Sequence, residues 1–178
     1  NILCGRHPEY YSEDPILTGT LMAYQARGLE ENGVIATYKH LIANNMEFER
    51  KSAHGIIDEN TLRDLYLRVF DKAFSLYKPG CVMTSYNPVN GIYPCENSAL
   101  LNDLLRGEWG FDGFVMTDWG SYDTADSIRS VCAGTNLLTP GSKKHFRMIL
   151  KAVKRNEISK AALQHSVKQI VKVLVRCI

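Results

Sequence analysis

The sequence is short of the features that mark several large classes of protein. No apolar run approaches the ~20 residues that a membrane-spanning helix needs. The five cysteines, Cys4, Cys81, Cys95, Cys132 and Cys177, are scattered and include no CxxC pair, which disfavours a disulfide scaffold and a zinc site. Buried free thiols in a reducing compartment are the simpler interpretation. We therefore expect a cytoplasmic location, with secretion as the alternative.

Two further absences concern charge and glycine-rich loops. The formal net charge is only +2 in 178 residues, and no basic block stands out, so binding to nucleic acid or to an anionic membrane is not expected. There is no GxGxxG motif and no Walker loop, which leaves a nucleotide-binding fold with little support. The remaining composition, 45% hydrophobic and 22% charged, is that of an ordinary globular domain with a core.

The most informative stretch is residues 113–120. Phe114, Val115 and Met116 form an apolar run of the kind found in a strand that is covered on both faces. Asp118 follows where such a strand ends. In a parallel α/β barrel, residues at the carboxyl ends of the strands line the active site. Asp118 is therefore a candidate catalytic residue, and capping of the next helix is the structural alternative.

Strands and helices alternate along the chain. Apolar runs, caps and breakers predict strands at 1–4, 34–38, 81–86, 114–116 and 135–138. Helices are predicted at 15–31, from 58 to the break at 79–80, and at 97–106, 123–132, 143–155 and 159–176. This order predicts an α/β fold with a parallel sheet. A closed barrel needs eight strands. We therefore expect residues 1–178 to be an incomplete, TIM-like (β/α)8 catalytic domain of about five βα units, with its first strands outside the chain.

Polar side chains recur just past successive predicted strands. Arg6, Lys39, His40, Tyr86 and Asp118 each follow an apolar run. Since the carboxyl ends of parallel strands meet at one edge of a sheet, these groups are expected on a single rim.

At this point the sequence resembles the β-glucosidases of glycoside hydrolase family 3. The resemblance covers most of residues 3 to 141, and its motifs fall in the family's order. They are Gly5-Arg6 with Glu9-Tyr10-Tyr11-Ser12-Glu13-Asp14-Pro15, Lys39-His40 with Asn44-Asn45-Met46-Glu47 and Arg50, Met83-Thr84-Ser85-Tyr86-Asn87 with Asn90-Gly91, Leu104-Leu105-Arg106 with Trp109-Gly110-Phe111-Asp112-Gly113, and Thr117-Asp118-Trp119.

The resemblance implies a retaining, exo-acting β-glycosidase without a metal or another cofactor. Asp118 matches the family's nucleophile. The residues that match positions around the sugar are Arg6, Lys39, His40, Met83, Tyr86 and Trp119. The family's acid/base is typically a Glu from a second domain, so the implied partners are a β-glucoside or oligosaccharide substrate, the remaining barrel strands and that second domain.

The chemistry of a retaining glycosidase agrees with these residue types. Such an enzyme needs an ionised carboxylate below the anomeric carbon and an acid beside the leaving oxygen. Cations such as Lys39 and Arg6 favour an ionised Asp118 and, with His40, can donate to sugar hydroxyls. Tyr86 is expected to donate to Asp118 or near the ring oxygen, and Trp119 offers a face on which a sugar or its aglycone can stack.

Several of these residues also have a structural interpretation. Lys39 and His40 are also compatible with a structural pair in the core. Arg6 is compatible with a simple ion pair to Glu9, Glu13 or Asp14. Glu47 and Arg50 are interpreted as scaffold, and Asp14 as a helix cap. A β-xylosidase of the same family and a non-catalytic, truncated sugar-binding fragment are the alternative functions. The hypothesis of a barrel enzyme that acts on phosphorylated small molecules has less support, because the sequence shows no glycine-rich phosphate loop.

Overall fold

The computed structural model describes residues 4–177 of the chain. Its centre is a sheet of three parallel strands in the order β1–β2–β3, with β1 at Thr37–Leu41, β2 at Cys81–Thr84 and β3 at Phe114–Thr117. β2 and β3 pair in continuous register from Cys81–Phe114 to Thr84–Thr117. A fourth segment lies along the far side of β3, where Leu137 forms a single parallel bridge with Met116.

Helices connect the strands and cover the sheet. We label them in chain order and use these labels below. They are α1 (Pro15–Glu30), α2 (59–76, whose middle Leu62–Leu67 is π-helical), α3 (Ala99–Glu108, also π-helical), α4 (Ser127–Cys132), α5 (Lys143–Lys154) and α6 (Lys160–Leu174). Within residues 4–177, no helix is long and apolar enough to cross a membrane.

Helices α1 and α2 begin where the sequence places a side-chain cap. The Asp14 carboxylate accepts a hydrogen bond from Leu17 N at 2.7 Å, and Pro15 occupies the first turn. Asp58 caps α2 by accepting from Thr61 N at 3.0 Å. These contacts confirm Asp14 as a helix cap, and they take up the free amides that every helix start exposes.

The core lies mainly between the sheet and helices α1, α2 and α3. Tyr38, Val82 and Val115 point from the three strands toward these helices and are fully buried. They meet Phe74 of α2 and Leu105 of α3. Side chains alternate along a strand, so Cys81 and Phe114 face the other way, where they pack against Val173 of α6.

The amino ends of β1 and β2 are joined by hydrogen bonds to one buried carboxylate. One carboxylate oxygen of Glu30 accepts from Gly80 N at 2.6 Å and Ala36 N at 3.1 Å, while the other accepts from the Tyr77 hydroxyl at 3.0 Å. A Cβ on Gly113 would lie 2.3 Å from Gly80 O. Gly113 therefore does more than mark the start of the strand, because the absence of a side chain lets β3 lie close to β2.

Several predicted boundaries move. The predicted strand at 34–38 is wrong at its start, since Val34 is 53% exposed and β1 runs from Thr37 to Leu41. Lys39 and His40 thus lie inside the strand, not past its end. Their peptide bond and that between Leu41 and Ile42 are cis. The predicted strand at 135–138 is reduced to the Leu137 bridge. The predicted strand at 1–4 lies largely outside the described residues, and Cys4 is not in a strand.

The helix predicted at 123–132 starts later than expected. A short 3-10 turn at Ser121–Asp123 comes first, and α4 begins only at Ser127, where Asp126 accepts from Ile128 N and Arg129 N. The thiols also differ from expectation in one place. Cys4, Cys81 and Cys95 are buried and free, whereas Cys132 is free but exposed.

Candidate active site

The carboxyl ends of the three strands bring the candidate residues together. The Asp118 amide continues the ladder by donating to Thr84 O at 3.2 Å, so Asp118 lies directly beside the end of β2. In the same way Ser85 N donates to Leu41 O at 2.7 Å and fixes the end of β2 next to β1. Asp118, Tyr86 and His40 consequently share one rim of the sheet, as the sequence predicts.

Asp118 is buried and its carboxylate is held at one oxygen only. The residue is 7% exposed, and its Oδ1 accepts a hydrogen bond from Trp119 N at 2.6 Å. The other oxygen, Oδ2, lies 3.4 Å from His40 Nε2 and 3.7 Å from Arg6 Nη1. These separations allow charge attraction, but neither contact has hydrogen-bond geometry.

Three buried polar atoms converge at this point without partners. Asp118 Oδ2, His40 Nε2 and Arg6 Nη1 have no hydrogen-bond partner among residues 4–177. Buried polar atoms are nearly always hydrogen-bonded, and a buried donor or acceptor left without a hydrogen bond costs about 1–3 kcal/mol. One acceptor and two donors directed at a common space can be satisfied by a ligand with several hydroxyl groups.

His40 is electrically neutral at neutral pH. Burial of its imidazole, assisted by the positive charge of Arg6, lowers the pKa of His40 to about 4. Its second ring nitrogen, Nδ1, lies 2.8 Å from the Tyr10 hydroxyl. Tyr10 comes from the segment before α1, and its ring packs edge-on against the imidazole with centroids 6.2 Å apart.

Arg6 and Lys39 are tied to one another through Glu9. Arg6 binds Glu9 with two hydrogen bonds of 2.9 Å, and Lys39 Nζ donates to the same carboxylate. The hydrogen bonds from Arg6, and then those from Lys39, lower the pKa of Glu9 to about 2. Within residues 4–177, Lys39 forms its ion pair with Glu9, whereas Arg6 is the cation whose nitrogen lies within 4 Å of the Asp118 carboxylate.

Tyr86 closes another side of the site. Its hydroxyl donates to the Trp119 backbone carbonyl at 2.7 Å and not to Asp118, so this part of the expectation is wrong. Burial, together with the negative charge of Asp118, raises the pKa of Tyr86 to about 12. The Arg50 guanidinium lies over its ring, 4.6 Å from the centroid, and donates to Glu47 at 2.8 Å.

Trp119 and Met83 occupy different depths. Trp119 is 65% exposed at the rim, where its indole face is open to a ligand. Met83 lies in β2 opposite Met116 and is half-buried on the face of the sheet that points away from helices α1, α2 and α3. The loop after Trp119 is anchored by Lys51, whose ammonium donates to Gly120 O at 3.1 Å and pairs with Asp123 at 2.6 Å.

Sequence reasoning missed two neighbours of the site. Tyr10 belongs to one of the motifs, but nothing in the sequence indicates which of the adjacent residues Tyr10 and Tyr11 turns toward His40. The interpretation of Arg50 as scaffold agrees with its ion pair to Glu47, but the Arg50 guanidinium also stacks on Tyr86 and so lies beside the site. In the described part of the chain, no group of three or more His, Cys, Asp or Glu side chains is arranged to hold a metal ion.

Comparison with known proteins identifies the family. The model described as "Glycosyl hydrolase family 3 N terminal domain" matches residues 3–173. The chain belongs to glycosyl hydrolase family 3. Relatives within family 3 include the thermostable β-glucosidase B of Acetivibrio thermocellus, 41% identical over 173 residues, and the probable β-glucosidase J of Aspergillus fumigatus, 39% identical over 175 residues. Each alignment covers 97% of this chain but only 23% and 20% of the relative.

Solved family 3 structures share the fold. β-Glucosidase 3B from Thermotoga neapolitana, in complex with glucose, matches with a TM-score of 0.93 and 40% sequence identity. The match covers 99% of this chain and 26% of that one. A β-glucosidase from Bifidobacterium adolescentis matches equally well, with a TM-score of 0.93 and 35% identity. The family 3 chain described here thus spans about a fifth to a quarter of the length of these relatives.

Proposed function

We propose that this chain is part of the catalytic domain of a retaining, exo-acting β-glucosidase, with Asp118 as its nucleophile. The observation that carries the proposal is the convergence of Asp118 Oδ2, His40 Nε2 and Arg6 Nη1, all lacking hydrogen-bond partners among the described residues, at the strand ends. The relatives are β-glucosidases by name, and one was solved with glucose. A pyranose carries the hydroxyls that such a set of atoms binds.

Asp118 suits nucleophilic attack because its two oxygens have different surroundings. Oδ1 is fixed by the Trp119 amide, which orients the carboxylate, while Oδ2 makes no hydrogen bond within residues 4–177. In the first step, Oδ2 forms an ester bond to C1 of the sugar as the bond from C1 to the leaving oxygen breaks. A carboxylic acid donates its proton to that oxygen, and the aglycone leaves as an alcohol.

The acid is assigned to a Glu outside this chain. Glu9 and Glu47 are the carboxylates closest in the ion-pair network to Arg6, and both are held by arginines. Glu9 is also unsuitable as the acid, because its pKa of about 2 leaves it ionised at neutral pH, without a proton to donate. In the second step the external carboxylate takes a proton from water, the resulting hydroxyl bonds to C1, and the ester to Asp118 breaks with retained configuration.

The remaining candidates hold the sugar over Asp118. Neutral His40 and charged Arg6 donate to hydroxyls next to the reacting carbon, and Lys39 has donors to spare beyond the one that Glu9 accepts. Trp119 offers its exposed face for stacking. Tyr86 fixes the loop that carries Trp119, and Met83 lines the floor beneath the ring.

We also propose that residues 1–178 are an incomplete (β/α)8-type domain with about five βα units. The three strands follow one another in spatial order, each parallel to the last, as consecutive units of a barrel do. The Leu137 bridge extends this order beyond β3. Other strands and a second domain of the same enzyme would complete the site.

The proposal is tested with the full-length enzyme that contains this chain. Hydrolysis of an aryl β-D-glucopyranoside is measured for the wild type, for Asp118→Asn and for Asp103→Asn, an exposed control on α3. We expect Asp118→Asn to lower kcat by a factor on the order of 10⁴ or more. Glucose binding, followed by calorimetry, should persist, and Asp103→Asn should behave as the wild type.

The other outcomes separate the alternatives. Near-wild-type turnover by Asp118→Asn removes Asp118 from the nucleophile role. Preference for the aryl β-xyloside over the glucoside favours a β-xylosidase, since a xyloside lacks the hydroxymethyl group of glucose. Glucose binding without hydrolysis of either substrate would leave a sugar-binding fragment.

A further inference from the structure

We propose that Tyr10 is a positioning residue that holds the proton of neutral His40 on Nε2, facing Asp118. The expected effect on catalysis depends on the proposed function, whereas the hydrogen-bonding arrangement can be tested without it. The inference is drawn from one short contact and from the charge that lies on the opposite side of the imidazole.

The contact itself joins Tyr10 and His40 across the site. The Tyr10 hydroxyl lies 2.8 Å from Nδ1, and the two rings meet at an interplanar angle of 81°. His40 is 4% exposed, so water cannot readily replace this partner. Among residues 4–177, Tyr10 provides the hydrogen bond that Nδ1 makes.

The direction of this hydrogen bond follows from Asp118. A tyrosine hydroxyl can donate or accept, so it is compatible with either neutral form of the imidazole. On the other side, Nε2 lies 3.4 Å from the carboxylate oxygen Oδ2 of Asp118. A lone pair on Nε2 would be repelled by that carboxylate, whereas an N–H is attracted. The proton therefore lies on Nε2, and Tyr10 donates to Nδ1.

The Tyr10 hydroxyl is protonated at neutral pH and can therefore donate to Nδ1. Burial strongly raises the pKa of Tyr10, which excludes a tyrosinate at neutral pH. The result is a chain of donation from Tyr10 to His40 and from His40 Nε2 into the space next to Asp118. That donor is one of the three buried atoms without a partner, so its direction decides which sugar hydroxyl it meets.

Removal of the Tyr10 hydroxyl should leave the Tyr10 ring in place but no longer fix the orientation and the protonated nitrogen of His40. Tyr10→Phe retains the edge-on packing and leaves Nδ1 buried without its hydrogen-bond donor, which is unfavourable. The imidazole can recover part of this energy by turning or by moving its proton, and either change misdirects the donor. Tyr11→Phe is the matched control, because Tyr11 is adjacent and its side chain is exposed.

The first experiment is ¹⁵N NMR of the His40 ring in the full-length protein, assigned with a His40→Gln variant. We expect an unprotonated, hydrogen-bonded Nδ1 and a protonated Nε2 in the wild type and in Tyr11→Phe. Tyr10→Phe should shift the Nδ1 resonance toward that of an imine nitrogen without a hydrogen bond. A protonated Nδ1 in the wild type, or identical spectra for wild type and Tyr10→Phe, would overturn the proposal.

The second experiment is a double-mutant cycle on the aryl β-glucoside. Tyr10→Phe should lower kcat/KM roughly tenfold in the wild type and less than about twofold in His40→Gln, because Tyr10 acts through His40. Equal losses in both backgrounds would show an independent, structural role and contradict the inference. A wild type that hydrolyses no glycoside refutes the proposed function instead, and the NMR result still decides the position of the proton.

Discussion

At the amino end of the sheet the Glu30 carboxylate accepts three hydrogen bonds, whereas at the carboxyl end the Asp118 carboxylate accepts one. The two groups are similar in chemistry and lie at opposite ends of the same strands. Glu30 binds the amides of Ala36 and Gly80, the residues just before β1 and β2. Asp118 Oδ2 instead faces His40 and Arg6 atoms that also lack hydrogen-bond partners in the described part of the chain.

With the proposed function, this difference separates a group that stabilises the fold from a group that is available to a ligand. A carboxylate whose oxygens are all satisfied contributes to folding and has little to offer a ligand. One with an unsatisfied oxygen is costly to bury, and that cost is recovered only when a ligand binds. The comparison leads us to expect that mutations at the two ends will affect different measurements.

Among variants that leave Asp118 in place, the largest expected effect is on activity at the carboxyl end. Arg6→Gln removes one of the donors directed at the Asp118 space, and we expect kcat/KM to fall roughly 10²–10³-fold. Unfolding free energy should change by less than about 2 kcal/mol, since Arg6 is largely buried but Glu9 is 36% exposed and keeps Lys39 as a partner. Arg27→Gln, which breaks an exposed pair with Glu31, is the control and should alter neither. A large loss of stability in Arg6→Gln would contradict the separation.

The next effect is on stability at the amino end. Glu30→Ala leaves Ala36 N and Gly80 N without their acceptor, so the free energy of unfolding should fall by about 3 kcal/mol in chemical denaturation. Glu31→Ala, one residue along and exposed, serves as the control. Turnover of the folded Glu30→Ala protein should match the wild type, and a parallel loss of kcat would show that the two ends are coupled.

A smaller effect concerns pH and His40. The folded pKa of about 4 lies below the ordinary 6.5, so the unfolded chain binds more protons between these values. Stability is therefore complete above pH 6.5 and declines as the pH falls toward 4, by at most about 1.4 kcal/mol per pH unit. The Glu9 contribution disappears lower, as the pH falls from about 4.5 to 2.

Denaturation at several pH values checks this window. The charged groups that face the imidazole are Arg6, Lys39, Glu9 and Asp118. His40→Gln should flatten the decline between pH 6.5 and 4 and leave the lower one unchanged. An unaltered profile in His40→Gln would assign the decline to another group.

The smallest effect is expected from an exposed pair at the amino end. Lys172 of α6 pairs with Asp112 just before β3, and both side chains are about half exposed. Lys172→Ala should lower the unfolding free energy by less than about 0.5 kcal/mol, because exposed ion pairs contribute little. A loss close to that of Glu30→Ala would mean that charge pairing at this end, and not burial, sets its stability.

The sequence predicts several local features of the fold for physical reasons. The apolar run ending at Asp118 and the caps at Asp14 and Asp58 are local signals, and the structure confirms them. Parallel alternation then places Asp118, Tyr86 and His40 on one rim. Family membership, with relatives about 40% identical, agrees with the motifs.

Other features depend on tertiary contacts that a local pattern does not encode. The neutralisation of Lys39 by Glu9 joins residues 30 positions apart, and the Tyr10–His40 contact spans the same separation. β1 begins only at Thr37, after Ala36 N has been bound by the distant Glu30 carboxylate, and the 53% exposure of Val34 is not revealed by its hydrophobicity. The Tyr86 hydroxyl binds a backbone carbonyl, an acceptor that every residue offers and no sequence pattern singles out.

The central claim is that Asp118 forms the covalent bond to the sugar, and trapping tests it most directly. The full-length enzyme is incubated with a 2-deoxy-2-fluoro-β-glucoside that carries an activated leaving group, which slows hydrolysis of the glycosyl ester, and its peptides are then analysed by mass spectrometry. We expect one added fluorosugar on the peptide that contains Asp118. A sugar attached to a different residue would contradict the account.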